Sequence, residues 1–377
     1  MMIRDCIVAA AAAAIGVSAT VASAGATITL LPPGFLVTDI ATNGIAACGN
    51  VQGDGSYETF RWTPTGGVER LGRATVPVIG VGAGTPDISY NGRRISATIL
   101  SSDNLETIGL WDISTGWTEA MPPMPADGRV MDLGMGSAWG ISGDGRHVTG
   151  FYWNTAGDAQ GCSWSVAGGM YAVDKTPGRS VRINAANLDG KVLVGWEERY
   201  DGPWCPTVWR NGVKMTLQAY GIPTTLEAVN SAGTILGGDS VDESMATRSA
   251  TLWRWNGTSY VAQRLGWLPG TQLTSGGARV DAVSDNGQIA VGMNMYSWYP
   301  GGSVDGFVWT PKTGMVKDTT YVASLGLTLP PGMDVRQINA LSPDGYTIAG
   351  IGLLPSGQYQ TFIIHLPQPG LYPVPRP

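Results

Sequence analysis

The chain is 377 residues long with a net charge of −6, and only 14% of its residues are charged, beside 54 glycines, 24 prolines and 14 tryptophans. So little Lys and Glu among so many chain-turning residues excludes a mainly helical protein and points to an all-β one. The cations form no basic stripe, which argues against nucleic acid and anionic membrane surfaces as partners.

The N-terminus reads as an export address. Arg4 precedes an apolar, Ala-rich run from Cys6 to Val21, and Ala22-Ser23-Ala24 supplies the small residues that a signal peptidase needs. Residues 1–24 are therefore expected to be a signal peptide cut after Ala24; an uncleaved anchor is the alternative, disfavoured because Ala is weakly hydrophobic. No later stretch is apolar enough to span a bilayer as a helix, so the mature chain is expected to be secreted, in the periplasm or outside the cell. Cleavage removes Cys6 and leaves Cys48, Cys162 and Cys205. An odd number cannot form a disulfide framework, so three buried thiols are expected, with a Cys162–Cys205 bridge as the alternative.

The rest of the chain repeats. A glycine preceded by an apolar residue and three variable positions recurs at Gly44, Gly92, Gly145, Gly190, Gly233, Gly287 and Gly345, a period of about 50 residues that fits propeller blades or solenoid units. Five residues later comes a second small residue: Gly49, Ala97, Gly150, Gly195, Gly238, Gly292 and Gly350. An aromatic landmark follows at Trp62, Trp111, Trp164, Trp209, Trp253 and Trp309, with Phe362-Ile363 in the last copy.

Each landmark has a physical reading. Asn or Asp before the first glycine marks a hairpin turn, read as one with positive φ at both residues. The second glycine lets a neighbouring backbone or ring come close. The Trp sits on a third strand, and its recurrence at one depth is what packing between units requires. A glycine turn then leads to a fourth strand, such as residues 315–320. Four antiparallel strands per unit describe a propeller blade, so residues 25–367 are expected to form a seven-bladed β-propeller. The seventh repeat stops after its third strand, whereas residues 26–31 are a strand without a blade, so the N-terminal strand is expected to close the ring. Residues 368–377 form a Pro-rich tail.

The spacing of apolar-Ser-x-Asp-Gly, a strand ending in Gly, F-x-W and then Gly-Gly or Thr-Gly resembles the HAF-type extracellular repeats of bacterial exported proteins. Residues 60–72 (FRWTPTGGVERLG) and 307–318 (FVWTPKTGMVKD) carry the likeness most clearly, although the His-Ala-Phe tripeptide is replaced by strings such as YETF and VDGF. The resemblance implies a secreted repeat protein and supplies no catalytic residues.

Function is expected on the face that receives the second-to-third loops and the links between units, because the other turns are tight. Its loops are read as holding Tyr152 and Trp153, then Trp196, Glu197, Glu198 and Tyr200, then Asp242 and Glu243, then Tyr296, Trp298 and Tyr299. Rings beside carboxylates suit sugars, and the expected role is a binding module for carbohydrate or for another extracellular protein. One alternative is a glycan-cleaving enzyme, a glycosidase or lyase, using Glu197 or Glu198 with Asp242 or Glu243. Another is a structural spacer. No catalytic motif is found: His147 and His365 read as structural, and no metal site or cofactor is expected beyond a calcium ion that the acidic run from Asp239 to Glu243 could help hold.

Overall fold

In the computed structural model the described residues are 20–23, 25–52, 58–74, 84–103, 105–122, 135–200, 202–217, 222–242, 247–271, 276–296 and 304–369. The expected signal peptide lies mostly outside them, as do Glu243, Trp298, Tyr299 and nearly all of the Pro-rich tail. No described helix is long and apolar enough to cross a membrane.

Each repeat folds into antiparallel strands taken in chain order. In repeat four these are Val181–Ala186, Val192–Glu198, Trp204–Arg210 and Val213–Thr216. Repeats five and six, Leu226–Val229 to Tyr260–Gly266 and Gly277–Val283 to Gly314–Lys317, share one sheet through a single parallel pair, Arg248 with Gly277. Repeat seven contributes Asp334–Leu341, Thr347–Leu353 and Tyr359–His365, and Ala26–Leu30 lies antiparallel to the last of these. Beyond it Thr20–Ser23 adds an outer strand.

In repeats two to seven the turn after the first strand is tied by its own side chains. Gly145 N–H donates to Ser142 O at 2.8 Å, while Ser142 Oγ accepts from Arg146 and His147 N–H and donates to Asp144 Oδ1 at 2.6 Å. Ser at the first position and Asp or Asn at the third thus tie the turn in place. All seven turn glycines have positive φ, between 62° and 79°, but of the residues before them only Asn43 does. Six of the turns are therefore not the doubly left-handed kind expected, a right-handed turn followed by one left-handed glycine doing the work; the turn of repeat one, with Asn43 at 55° and Gly44 at 65°, is of the expected kind.

The second glycine answers a feature that period-two alternation conceals. In six repeats the first strand carries a β-bulge that skips Thr38, Trp139, Asn184, Glu227, Asp281 or Asn339 in the pairing, and the first strand of repeat seven skips Arg336 as well. The bulge drives a first-strand carbonyl across the pair: a Cβ added to Gly195 would lie 2.0 Å from Arg182 O, and one on Gly292 would lie 2.0 Å from Arg279 O. Only glycine leaves that room. Repeat two pairs only Asp87–Ile88 in its first strand, and Ala97 stands at the glycine position.

The landmark tryptophans are between 1% and 7% exposed and each packs on the preceding unit. Trp253 meets Val192 and Val208 of repeat four, and Trp62 meets Ala340, Ala349 and Ile363 of repeat seven. Cys48, Cys162 and Cys205 are all buried. One expected strand is cut short: after Gly314–Lys317 the chain enters the helix Asp318–Ser324. Tyr321, Val322 and Leu325 turn one face of it into the cluster between repeats six and seven.

Candidate functional site: an axial cavity

The bulges have a second consequence, because an unpaired strand residue is re-aimed. Thr38, Trp139, Asn184, Glu227, Asp281 and Asn339, though not Arg336, line one cavity of about 540 Å³, to which the first strands of all seven repeats contribute. That volume is in the range of small-ligand sites, roughly 300 to 1,000 Å³.

Its chemistry differs from wall to wall. On the side of repeats four to six, Arg279 donates from Nε to Asp281 Oδ1 at 2.7 Å and from Nη1 to Glu227 Oε1 at 3.1 Å. Glu227 Oε2 accepts from Asn184 Nδ2 at 3.0 Å, and Asn184 Oδ1 accepts from Arg182 Nε at 2.7 Å. This is one continuous network. Burial works against the Arg279 charge, but Asp281, Glu227 and Asp239 outweigh it and hold the guanidinium above its ordinary value. Burial pushes the Asp281 carboxyl up to about 6 despite Arg279, and lowers the Arg182 guanidinium to about 10 despite Glu227.

On the side of repeats one and two, carboxyls are held by backbone N–H groups. Asp39 accepts from Ile40 and Ile88 N–H at 2.8 and 2.9 Å, yet burial lifts it to about 7. Asp87 is raised well above the usual range by burial, then by the charges of Asp39 and Glu227.

Aromatic rings gather near the start of the first strand in repeats three and four. The Arg182 guanidinium lies 3.4 Å from the Trp139 ring centre and 5.3 Å from that of Trp196, which stacks on Trp204 at 4.7 Å. Four buried polar atoms of cavity-lining residues have no protein partner among the described residues: Asp281 Oδ2, Asn339 Oδ1, Trp139 Nε1 and Asn50 Oδ1. Such atoms are costly to bury unless something meets them.

The residues picked out from sequence fare unevenly, because several belong to strands and not to loops. Tyr152 and Trp153 end the strand Val148–Trp153, where Tyr152 joins the core and Trp153 sits edge-on to Phe151 at 5.3 Å. Trp196, Glu197 and Glu198 end Val192–Glu198, and alternation sends neighbours to opposite faces. Trp196 reaches the Arg182 cluster. Glu197 is 5% exposed and is bound by Lys214 Nζ at 2.9 Å and by Thr176 N–H, whereas Glu198 accepts from Ser180 N–H at 3.1 Å. Tyr200 is 95% exposed at the following turn.

Asp239, the first residue of the expected calcium run, lies in the strand Ile235–Asp242 and is fully buried, held by Thr225 N–H at 2.7 Å and by Arg248 at 3.3 Å. Asp242 ends that strand, and Tyr296 hydrogen-bonds to Asp305. Among the described residues no group of three metal-ligating side chains comes together. His147 and His365 face Ser163 and Thr347 at 3.5 and 3.1 Å.

Sequence reasoning missed the cavity network. Its trace was a polar residue six positions before the turn glycine, at Thr38, Asn184, Glu227, Asp281 and Asn339.

No protein-family model matches the chain, and no curated protein matches it in sequence. Solved structures do resemble it. Oligogalacturonate lyase from Vibrio parahaemolyticus superposes with a TM-score of 0.56 at 11% identity, over 92% of this chain and 96% of that one. The β-propeller domain of the Trilobed protease from Pyrococcus furiosus gives 0.50 at 11% identity, over 87% and 94%. A prolyl endopeptidase gives 0.50 at 11% identity, over 89% of this chain but only 46% of that one. Identities this low speak to architecture alone, and with the four-stranded antiparallel sheets they establish an all-β chain with the fold of a β-propeller.

Proposed function

We propose that the protein is an exported, seven-bladed β-propeller closed by its N-terminal strand, and that it binds a saccharide in the axial cavity. Closure is supported by the pairing of Ala26–Leu30 with Tyr359–His365 and by Asn339 Nδ2 donating to Val37 O at 2.8 Å. Export is supported by the pattern of residues 1–24 and by the resemblance to HAF-type repeats.

The observation that carries the binding role is the set of unpaired polar atoms on residues that line the cavity. Asp281 Oδ2 and Asn339 Oδ1 accept, Trp139 Nε1 donates, and the three belong to one cavity. Sugar hydroxyls both donate and accept, so a saccharide could meet all three while its C–H face rests on an indole. Each restored partner recovers about 1–3 kcal/mol. The rim residues expected from sequence, among them Tyr200 and Tyr296, are secondary to this site.

The test is titration calorimetry on the full chain with hits from a glycan array. Trp139→Ala should abolish binding, and Asp281→Asn should weaken it about tenfold, as loss of one good hydrogen bond does. Glycan affinity unchanged in both variants would sink the proposal.

A second reading, glycan cleavage, is favoured by the Asp281 carboxyl at about 6, poised between acid and base, and by the shared fold with an oligogalacturonate lyase. It would place the chemistry at Asp281 and not at Glu197, which Lys214 occupies. Unsaturated products from oligogalacturonate, absent with Asp281→Asn, would favour it over binding alone.

A further inference from the structure

A second hollow, of about 390 Å³, lies at the tight-turn edge between repeats three and four, and its lining includes His147, Ser165, Tyr171, Gly190 and Asn211. It is separate from the axial cavity and independent of the saccharide reading. Its meaning comes from the other junctions. In four of them an arginine of one repeat donates to the carbonyl of the turn glycine in the next: Arg61 to Gly92 at 2.9 Å, Arg94 to Gly145 at 3.2 Å, Arg210 to Gly233 at 2.8 Å and Arg254 to Gly287 at 3.0 Å. At the junction between repeats four and five the arginine makes two further contacts. There Arg210 also lies over the Trp255 ring at 4.6 Å and bonds the Tyr260 hydroxyl at 3.1 Å.

The same cross-strand position in repeat three holds His147 and Ser165. His147 packs its ring against Gly190 and turns Nδ1 toward Ser163, while Ser165 Oγ accepts from Gly168 N–H at 3.0 Å. Where repeat five has Trp255 and Tyr260, repeat four has Asn211 and Val213, and only the Tyr171 hydroxyl reaches across, over Gly212. Small side chains thus stand where an arginine, an indole and a phenol stand one junction further on.

We infer that this hollow is a socket for an arginine side chain presented by a partner protein. The features that accept Arg210 in the neighbouring junction, a turn-glycine carbonyl, an aromatic ring and a phenol hydroxyl, have counterparts here in the carbonyl of Gly190 and in the ring and hydroxyl of Tyr171, while Lys191 in the lining is neutralised by Asp189 at 2.7 Å. A guanidinium matches them because its planar fork hydrogen-bonds in its plane and stacks on a ring through its face. Tyr171 is 55% exposed and the rim glycines Gly169 and Gly212 leave the approach open.

The experiment is titration of the full chain with L-argininamide, followed by tyrosine and tryptophan fluorescence, with the neutral isostere citrullinamide as control. Saturable binding of argininamide at or below about 10 mM, absent for citrullinamide, is expected. Ser165→Arg, which supplies the arginine from within the chain, should remove that binding and raise the melting temperature. Tyr171→Ala, at an exposed position, should weaken binding severalfold without altering the fold. No saturation by argininamide, equal binding of citrullinamide, or undiminished binding by a folded Ser165→Arg variant would each overturn the assignment.

Discussion

Repeats one and two set Asp39 and Asp87 on the axial cavity with backbone N–H groups to hold them, whereas repeats four to six set Glu227 and Asp281 there with the Arg279 guanidinium between them. Both walls use the first strand of the repeat. One wall keeps its charge by pairing it, and the other gives charge up by taking protons. The axial cavity is therefore not a uniform polar pore. Its ionic half is rigidly cross-linked, and its carboxyl half responds to pH near neutrality.

The ionic wall should break hardest. Arg279→Leu leaves Glu227 and Asp281 facing each other as buried carboxylates without their cation, a loss of about 3–5 kcal/mol for a buried pair that loses one member. Urea unfolding at pH 7.5 measures it. Arg279→Lys should restore only part, because an ammonium cannot span both carboxylates as the fork does. A variant as stable as the parent would show that the network is not a stabilising cross-link.

The backbone beneath the two walls differs as well. Gly195→Ala in repeat four forces a Cβ to within 2.0 Å of Arg182 O, so the bulge that aims Asn184 into the cavity must shift. About 2–4 kcal/mol should be lost, the scale of overpacking against backbone. In repeat two Ala97 already fills the corresponding place, and Ala97→Gly should cost only about 0.5–1 kcal/mol, the entropic effect of glycine in a strand. Equal effects at the two sites would mean that the bulge is not what demands glycine.

These contrasts also mark what could be read from the sequence. The turn glycines, the packing tryptophans and the partnership of residues 26–31 with the last repeat were legible because each recurs at a fixed spacing and has one physical cause. The cavity was not legible, because a one-residue bulge leaves the apolar alternation nearly intact and its trace, Gly195 or Gly292, was read simply as close packing. The candidate rings and carboxylates were misplaced for a related reason. In the sequence Trp196 and Glu197 read as loop residues, but their strand runs on to Glu198, and pairing with Pro206 and Cys205 settles their directions. The arginine socket was hidden more deeply: Ser165 acquires meaning only when Arg210 is seen to fill the next junction.

The carboxyl wall makes the most diagnostic prediction. Asp39 sits at about 7 in the folded chain against an ordinary value near 4, so the folded state binds its proton more tightly than the unfolded state does. The stabilisation this provides is complete below about pH 4, declines as pH rises and is gone above about pH 7. Asp87, raised in the same direction, adds to it. Asp112, lowered to about 2 by Ser114 and Arg94, has the opposite slope but titrates below that window. The urea midpoint should therefore fall between pH 5 and pH 8 by the equivalent of about 1–3 kcal/mol, with solvent and residual water discounting the full shift. Asp239 and Asp281, each raised to about 6 by burial, contribute part of this slope, so the decisive comparison is the double variant Asp39→Asn, Asp87→Asn. Neutral at every pH, it should lose the portion of the slope above pH 6 while the ionic wall keeps the remainder; an unchanged slope would mean that the two walls carry charge alike.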